Sequence, residues 1–253
     1  MKQLIIDGRQ VEYQEWPARQ AGMPPLVLLH EGLGSVALWR DFPAELAAHT
    51  RAHVIAYSRP GYGQSDPYPE ARTPRYMHDE AERILPAFLA ALGIQQPLLV
   101  GHSDGGSIGL LYAARFPKTL AGLVVMAPHA FVEEVTLAGI RAAAEAWEKT
   151  EWPQRLARYH RAAPRVFADW RDCWLSPEFR DWNIEDDLSA IRCPVLALQG
   201  IDDEYGTLRQ IEIIAERVPG SRLLALANCA HSPHREQPKA VLQAIADFLP
   251  SCR

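Results

Sequence analysis

The sequence predicts an α/β fold, a mostly parallel sheet with helices on both faces, and three observations carry that expectation. Short strand-like apolar runs alternate with longer stretches of helical spacing along most of the chain, the pattern of strands joined by crossover helices. The residues with chemistry to offer fall directly after those runs, at the carboxyl ends of the strands, where sites in parallel sheets lie. The chain of 253 residues, 48% of them hydrophobic, is long enough to bury one large core.

Taken in order, runs at 4–6 and 11–16 flank Asp7-Gly8, a hairpin signal. The run 26–29 reads as a buried strand entering a loop at 30–35, and 38–49 has helical spacing. A strand at 53–57 leads into a long loop, 58–73, rich in proline and glycine. A helix is expected over 74–92, kinked at Pro86, because a proline inside a helix removes one hydrogen bond and crowds the preceding turn. Strands follow at 98–100, 120–126, 195–199 and 223–226. The segment 131–190 breaks the alternation with helical runs at 140–149 and 154–159, and holds five of the seven tryptophans: Trp147, Trp152, Trp170, Trp174 and Trp182.

The most informative stretch is Gly-His-Ser-Asp-Gly-Gly at 101–106, between the apolar run Leu98-Leu99-Val100 and a helix-like segment ending near Phe116. A strand that reverses this sharply into a helix needs residues without side chains on either side of the turn, and it exposes the serine at the apex. Ser103 then sits over a helix N-terminus, whose free N–H groups favour developing negative charge. After the run 195–199 comes an acidic loop, Gly200-Ile201-Asp202-Asp203-Glu204, and after 223–226 comes Asn228-Cys229-Ala230-His231-Ser232-Pro233-His234. Serine, acid and histidine therefore follow one another at three strand ends, an order that suits nucleophilic catalysis.

Those segments, with Leu28-Leu29-His30-Glu31-Gly32-Leu33-Gly34-Ser35 and Tyr57-Ser58-Arg59-Pro60-Gly61-Tyr62-Gly63-Gln64-Ser65-Asp66, resemble the α/β-hydrolase superfamily nearly end to end. The resemblance implies a Ser103–Asp203–His231 triad, choosing Asp203 over Asp202 because the acid lies three residues after the glycine ending its strand. It chooses His231 over His234 because the histidine follows a small residue. It also implies a core over 1–130 and 191–253 with a helical cap at 131–190, which would shield the nucleophile and line a pocket. Most of its tryptophans are expected to glue the cap to the core, with Trp147 and Trp170 reaching substrate.

An acyl-transfer site needs backbone donors for its oxyanion. One is expected from Asp104, next to the nucleophile, and the other from the loop after His30. There the family's histidine-glycine pair is interrupted by Glu31, leaving Gly32 and Leu33 as alternatives and Gly32 favoured. Ser-Asp-Gly-Gly at the elbow, with Ala-Pro-His-Ala-Phe-Val at 127–132, is similar to the valacyclovirase-like amino-ester hydrolases. That resemblance implies that Asp104 recognises an α-amino group; stabilisation of the helix N-terminus is the competing role, worth about 0.3–1 kcal/mol. Glu31 and His129 are further candidates for the pocket, Glu31 with a structural role against loop N–H groups or Arg59 as the alternative, and His102 is expected to pack beneath the elbow.

The expected function is cleavage of small carboxylic esters, with amino-acid-type esters as the sharper reading. Carbon–carbon hydrolysis of vinylogous diketones and thioester hydrolysis are the alternatives. A non-catalytic binding module has no need of three such residues at three strand ends, and an epoxide hydrolase or dehalogenase would carry an aspartate at position 103. The net charge of −5 with no Lys/Arg run argues against nucleic acid. There is no H-E-x-x-H or comparable cluster for a metal, and no cofactor is expected. The N-terminal apolar run of three residues falls short of a signal peptide, no stretch approaches eighteen apolar residues, and four scattered cysteines read as reduced thiols. A cytoplasmic enzyme, monomeric or weakly oligomeric, is the expectation.

Overall fold

The computed structural model describes residues 1–253 except Arg19, Ala21, Pro69, Glu70 and Arg253. Two of these, Pro69 and Glu70, fall in the expected loop 58–73, and that part of it lies outside the described residues. Eight strands form one sheet: β1 (Lys2–Ile6), β2 (Arg9–Trp16), β3 (Leu26–Leu29), β4 (Val54–Tyr57), β5 (Leu98–His102), β6 (Gly122–Met126), β7 (Val195–Gly200) and β8 (Arg222–Leu226). Their order is β1-β2-β4-β3-β5-β6-β7-β8, with β1 and β2 antiparallel and the rest parallel. Asp7 and Gly8, both with positive φ, make the primed turn that joins β1 to β2.

Apart from the edge strand β8, the parallel strands are buried on both faces, and alternate residues divide between two clusters. Val27, Leu29, Leu99, Leu123 and Val125 face one cluster with the helices Leu85–Ala91, Asp104–Arg115 and Arg209–Arg217. Leu26, Leu28, Val100, Val124 and Met126 face the other, covered by Phe42–Thr50 and Pro238–Phe248. The chain runs from β3 out to β4 and returns to β5 on the opposite side of β3. This reversal opens a crevice between the carboxyl ends of β3 and β5, where ligands of open α/β sheets sit.

The helix expected over 74–92 is three pieces: α-helix Tyr76–Asp79, a π-helical turn Glu80–Ile84 and α-helix Leu85–Ala91. The wider turn falls just before Pro86 and accommodates the ring within a continuous helical segment, so a change of helix type replaces the expected kink. Between β6 and β7 the chain leaves the sheet as helices Glu134–Lys149, Trp152–Leu156, Ala163–Trp174 and Glu185–Leu188. Phe167, Trp170, Trp174, Phe179 and Trp182 of this insertion join the first core cluster, so its aromatic rings are chiefly packing. Among the described residues no helix is long and apolar enough to cross a membrane.

Candidate active site

Ser103 directly follows β5 with φ 51° and ψ −119°, a conformation that costs a non-glycine residue about 1–3 kcal/mol. The surroundings hold it there. A Cβ on Gly101 would collide with the Gly105 carbonyl, and one on Gly105 with the carbonyl of Leu29 in the neighbouring strand. Ser103 N–H donates to Met126 O (2.9 Å), and Ser103 O accepts from Ser107 N–H (3.0 Å). The elbow is thus clamped between β3 and β6, and its hydroxyl projects into the crevice.

His231 Nε2 lies 2.9 Å from Ser103 Oγ, and His231 Nδ1 lies 2.8 Å and 2.9 Å from the two oxygens of Asp203. Asp203 also accepts from Gln199 Nε2 (2.5 Å) and Tyr205 N–H (2.8 Å), so its carboxylate is fixed from three directions. A side chain on Gly200 would strike the Cys229 and Ala230 carbonyls, so the glycine lets the acid-bearing loop approach the histidine loop. Burial opposes charge on both groups, but their mutual hydrogen bond and attraction prevail: the Asp203 carboxyl is lowered and His231 is raised above 6.5. The neighbours separated by one or three residues go elsewhere. Asp202 is exposed, and His234 is buried against Trp39 (4.8 Å between ring centres) and Phe42 (5.3 Å).

A cavity of about 200 Å³ opens above Ser103. Glu31, Gly32, Leu33, Asp104, His129 and Trp170, each expected there, line it. Trp147 does not: its ring stacks at 4.0 Å on Phe167, and Trp152 and Trp174 line the cavity in its place. The helix Glu134–Lys149 touches the cavity at Thr136 and Ile140, and seven further residues carry Trp147 about 10 Å along the axis. Trp170 and Trp174, four apart on Ala163–Trp174, share one helical face, a spacing that marks both in the sequence.

The turn after β3 closes by Gly34 N–H donating to Glu31 O (3.0 Å). Among the described residues neither the Gly32 nor the Leu33 N–H has a protein acceptor. The Glu31 carbonyl also accepts from Arg59 Nη2 (2.8 Å) and His30 Nδ1 (2.7 Å). His30 Nε2 in turn accepts from Arg59 N–H (3.1 Å), a pattern that requires the neutral ring. Burial and the Arg59 charge together push His30 well below its usual range. The Glu31 carboxylate faces His102 Nδ1 at 3.6 Å rather than Arg59; burial resists its ionisation, but His102 and the neighbouring histidines hold its carboxyl low. His102, expected beneath the elbow, also lines the cavity, and its Nε2 donates to the His231 carbonyl at 2.6 Å.

Asp104 is almost wholly buried, with 1% of its side chain exposed. Oδ2 accepts from Tyr76 OH (2.7 Å) and lies 3.6 Å from Arg59 Nη2, while Tyr76 OH accepts from Trp174 Nε1 (3.0 Å). Oδ1 has no partner among the described residues. A buried acceptor left unmet costs about 1–3 kcal/mol, and Asp104 is one of the residues that line the cavity. His129 is likewise buried with Nδ1 unpartnered, its ring 4.9 Å from Trp174; burial and the nearby His231 lower it to about 4. Tyr76 carried no signal in the sequence, and Arg59 was weighed there as a partner for Glu31 and not for Asp104; a helix and a loop far apart in the chain bring both to the elbow.

Residues 24–164 match the family model described as alpha/beta hydrolase fold. The chain is 26% identical to "Serine hydrolase BPHL" of Mus musculus, over 97% of this chain and 85% of that protein. It is 27% identical to "2-succinyl-6-hydroxy-2,4-cyclohexadiene-1-carboxylate synthase" of Enterobacter sp. (strain 638), over 97% of both chains. The solved enol-lactonase of Burkholderia xenovorans LB400 shares the fold with a TM-score of 0.79 at 20% identity, covering 98% of this chain and all of that one. With the sheet order, the elbow at the end of β5 and a family match across more than half its length, the chain belongs to the α/β-hydrolase fold family.

Proposed function

We propose that this protein is a serine hydrolase that cleaves small carboxylic esters through an acyl-enzyme, and that it prefers esters bearing an α-amino group. His231 Nε2 takes the Ser103 proton as Oγ attacks the acyl carbonyl, and the Asp203 carboxylate stabilises the imidazolium that forms. The oxyanion is received by the Asp104 N–H and by an unengaged N–H of the turn at Gly32 or Leu33, donors each worth about 3–4 kcal/mol of barrier. The tetrahedral adduct collapses, His231 protonates the departing alkoxide, and a water activated by the same histidine then releases the acid and restores Ser103. The helices at 131–190 act as a cap that keeps bulk water from the reacting carbonyl.

The unpaired Asp104 Oδ1 carries the substrate assignment. It is a buried acceptor with no donor among the described residues, it belongs to a cavity-lining residue next to the nucleophile, and its partner oxygen is held by Tyr76. An α-ammonium group has three donors and a positive charge, and is separated from the scissile carbonyl by one carbon. The likeness to a protein named a serine hydrolase supports the reaction class.

Matched ethyl esters of equal size, with and without an α-amino group, test the reading. A preference of at least tenfold in kcat/KM is expected, about 1.4 kcal/mol of differential transition-state binding. Asp104→Asn should erase most of that preference while leaving the neutral ester within about threefold. Equal losses on both substrates would reduce Asp104 to a structural part of the elbow.

The raised His231 sets the pH dependence. A general base works unprotonated, so activity on a neutral ester should fall as pH drops through a midpoint above 6.5. A rate that stays level down to pH 5.5 would remove His231 from the base role.

A further inference from the structure

We infer that His160, a residue of the insertion, is a positioning residue that holds the oxyanion turn 31–34 in its working shape; the inference rests on the reading of that turn given above. His160 lies between helices Trp152–Leu156 and Ala163–Trp174, outside the cavity lining, and is 3% exposed. Both ring nitrogens are committed to backbone groups of the core. Nδ1 accepts from Gly63 N–H at 2.9 Å, and Nε2 donates to the Leu33 carbonyl at 2.9 Å. One acceptor and one donor define a single neutral tautomer, and burial, which lowers the basicity of the ring, favours that form.

The turn has three peptide planes, and the way each is held gives His160 its role. The first, Glu31–Gly32, is anchored at its carbonyl by His30 and Arg59. The third, Leu33–Gly34, is anchored at its N–H by the Glu31 carbonyl and at its carbonyl by His160. The central plane carries the Leu33 N–H and has no anchor of its own among the described residues. Its orientation is inherited from the planes on either side, and one of those depends on the insertion. Backbone donors stabilise an oxyanion only when they are aimed before the charge forms. The adjoining residue ties the same segment down: Arg161 N–H donates to Gly63 O (2.9 Å) and Arg161 Nη2 to Gln64 O (3.0 Å).

Two conservative variants separate the two bonds of the ring. A glutamine at this position places an amide donor near the site of Nε2 and keeps the bond to Leu33. An asparagine places its amide near Nδ1 and keeps only the bond to Gly63. With p-nitrophenyl butyrate as substrate, His160→Asn is expected to lose thirtyfold or more in kcat with KM within twofold. His160→Gln should stay within fivefold of wild type. Equal kcat in the two variants, or a loss confined to KM, would overturn the inference. If the asparagine variant fails to fold, His160→Ala with imidazole added is the second measurement: recovery of kcat is expected, and none at saturating imidazole would overturn it.

Ser103→Ala, run alongside, distinguishes the two levels. Undiminished hydrolysis in that variant would place the chemistry elsewhere and bring down the reading of the site together with this inference. A dead Ser103→Ala with indistinguishable His160 variants would bring down the inference alone.

Discussion

Ser103→Ala is expected to lower kcat by at least about 10⁴-fold while the protein folds and melts as the wild type does. The substitution removes one oxygen, and the backbone bonds that hold the elbow, Ser103 N–H to Met126 O and Ser107 N–H to Ser103 O, are indifferent to it. Alanine keeps the Cβ that serine has, so the unusual φ of this position is met on the same terms, and the glycines at 101 and 105 that make room for the turn remain. What disappears is the only hydroxyl within hydrogen-bond reach of His231 Nε2 among the described residues. Ester turnover measured beside a thermal melt checks both halves: retained activity in a folded variant would defeat the nucleophile assignment, and a collapsed melt would show that the hydroxyl supports the fold.

Asp203→Asn should be almost as damaging, at about 10⁴-fold in kcat, whereas Asp202→Asn should change kcat less than twofold. The local geometry makes this substitution harsher than a loss of charge. Oδ1 accepts from Tyr205 N–H and Oδ2 from Gln199 Nε2, while both oxygens face His231 Nδ1. Whichever way the new amide turns, its NH2 group meets another donor, so a stability loss of about 1–3 kcal/mol accompanies the loss of rate. Asp202 is exposed and contributes only its backbone, donating N–H to Cys229 O. Kinetics and melting of the two variants, side by side, test the assignment. A larger loss from Asp202→Asn would move the acid by one residue.

Both expectations rest on features the sequence displays openly, and for a physical reason. The elbow needs glycines flanking a serine within a few residues, and Gly200 must lack a side chain for its loop to pass the histidine loop, so steric necessity is written in consecutive letters. Alternating apolar runs announce the strands because both faces of a parallel sheet are buried. The supporting residues leave no such trace. Tyr76 meets Asp104 across 28 positions, and His160 meets Leu33 across 127. Neither pair has a periodicity or spacing of its own. Trp147 illustrates the remaining difficulty: composition places aromatic rings over the site, but the direction of a helix axis decides which of them arrive. The π-helical turn before Pro86 was hidden for a similar reason, since the proline signals a disruption without saying how the backbone absorbs it.

The insertion departs after β6 and returns at β7, and these strands are hydrogen-bonded neighbours in register from Leu123 and Val195 to Met126 and Leu198. Because the two strands are parallel, it leaves at the carboxyl end of β6 and re-enters at the amino end of β7, so its ends are held one strand spacing across and about 10 Å along the sheet from each other whatever lies between them. Closure entropy grows only with the logarithm of the enclosed length, about 0.6 kcal/mol for each doubling. Closure therefore sets little limit on the length of this segment, and what a replacement has to supply is the apolar surface that Phe167, Trp170, Trp174, Phe179 and Trp182 now bury against the core. Any replacement must also present a donor to the Leu33 carbonyl, as His160 does, to keep the turn after β3 as it is.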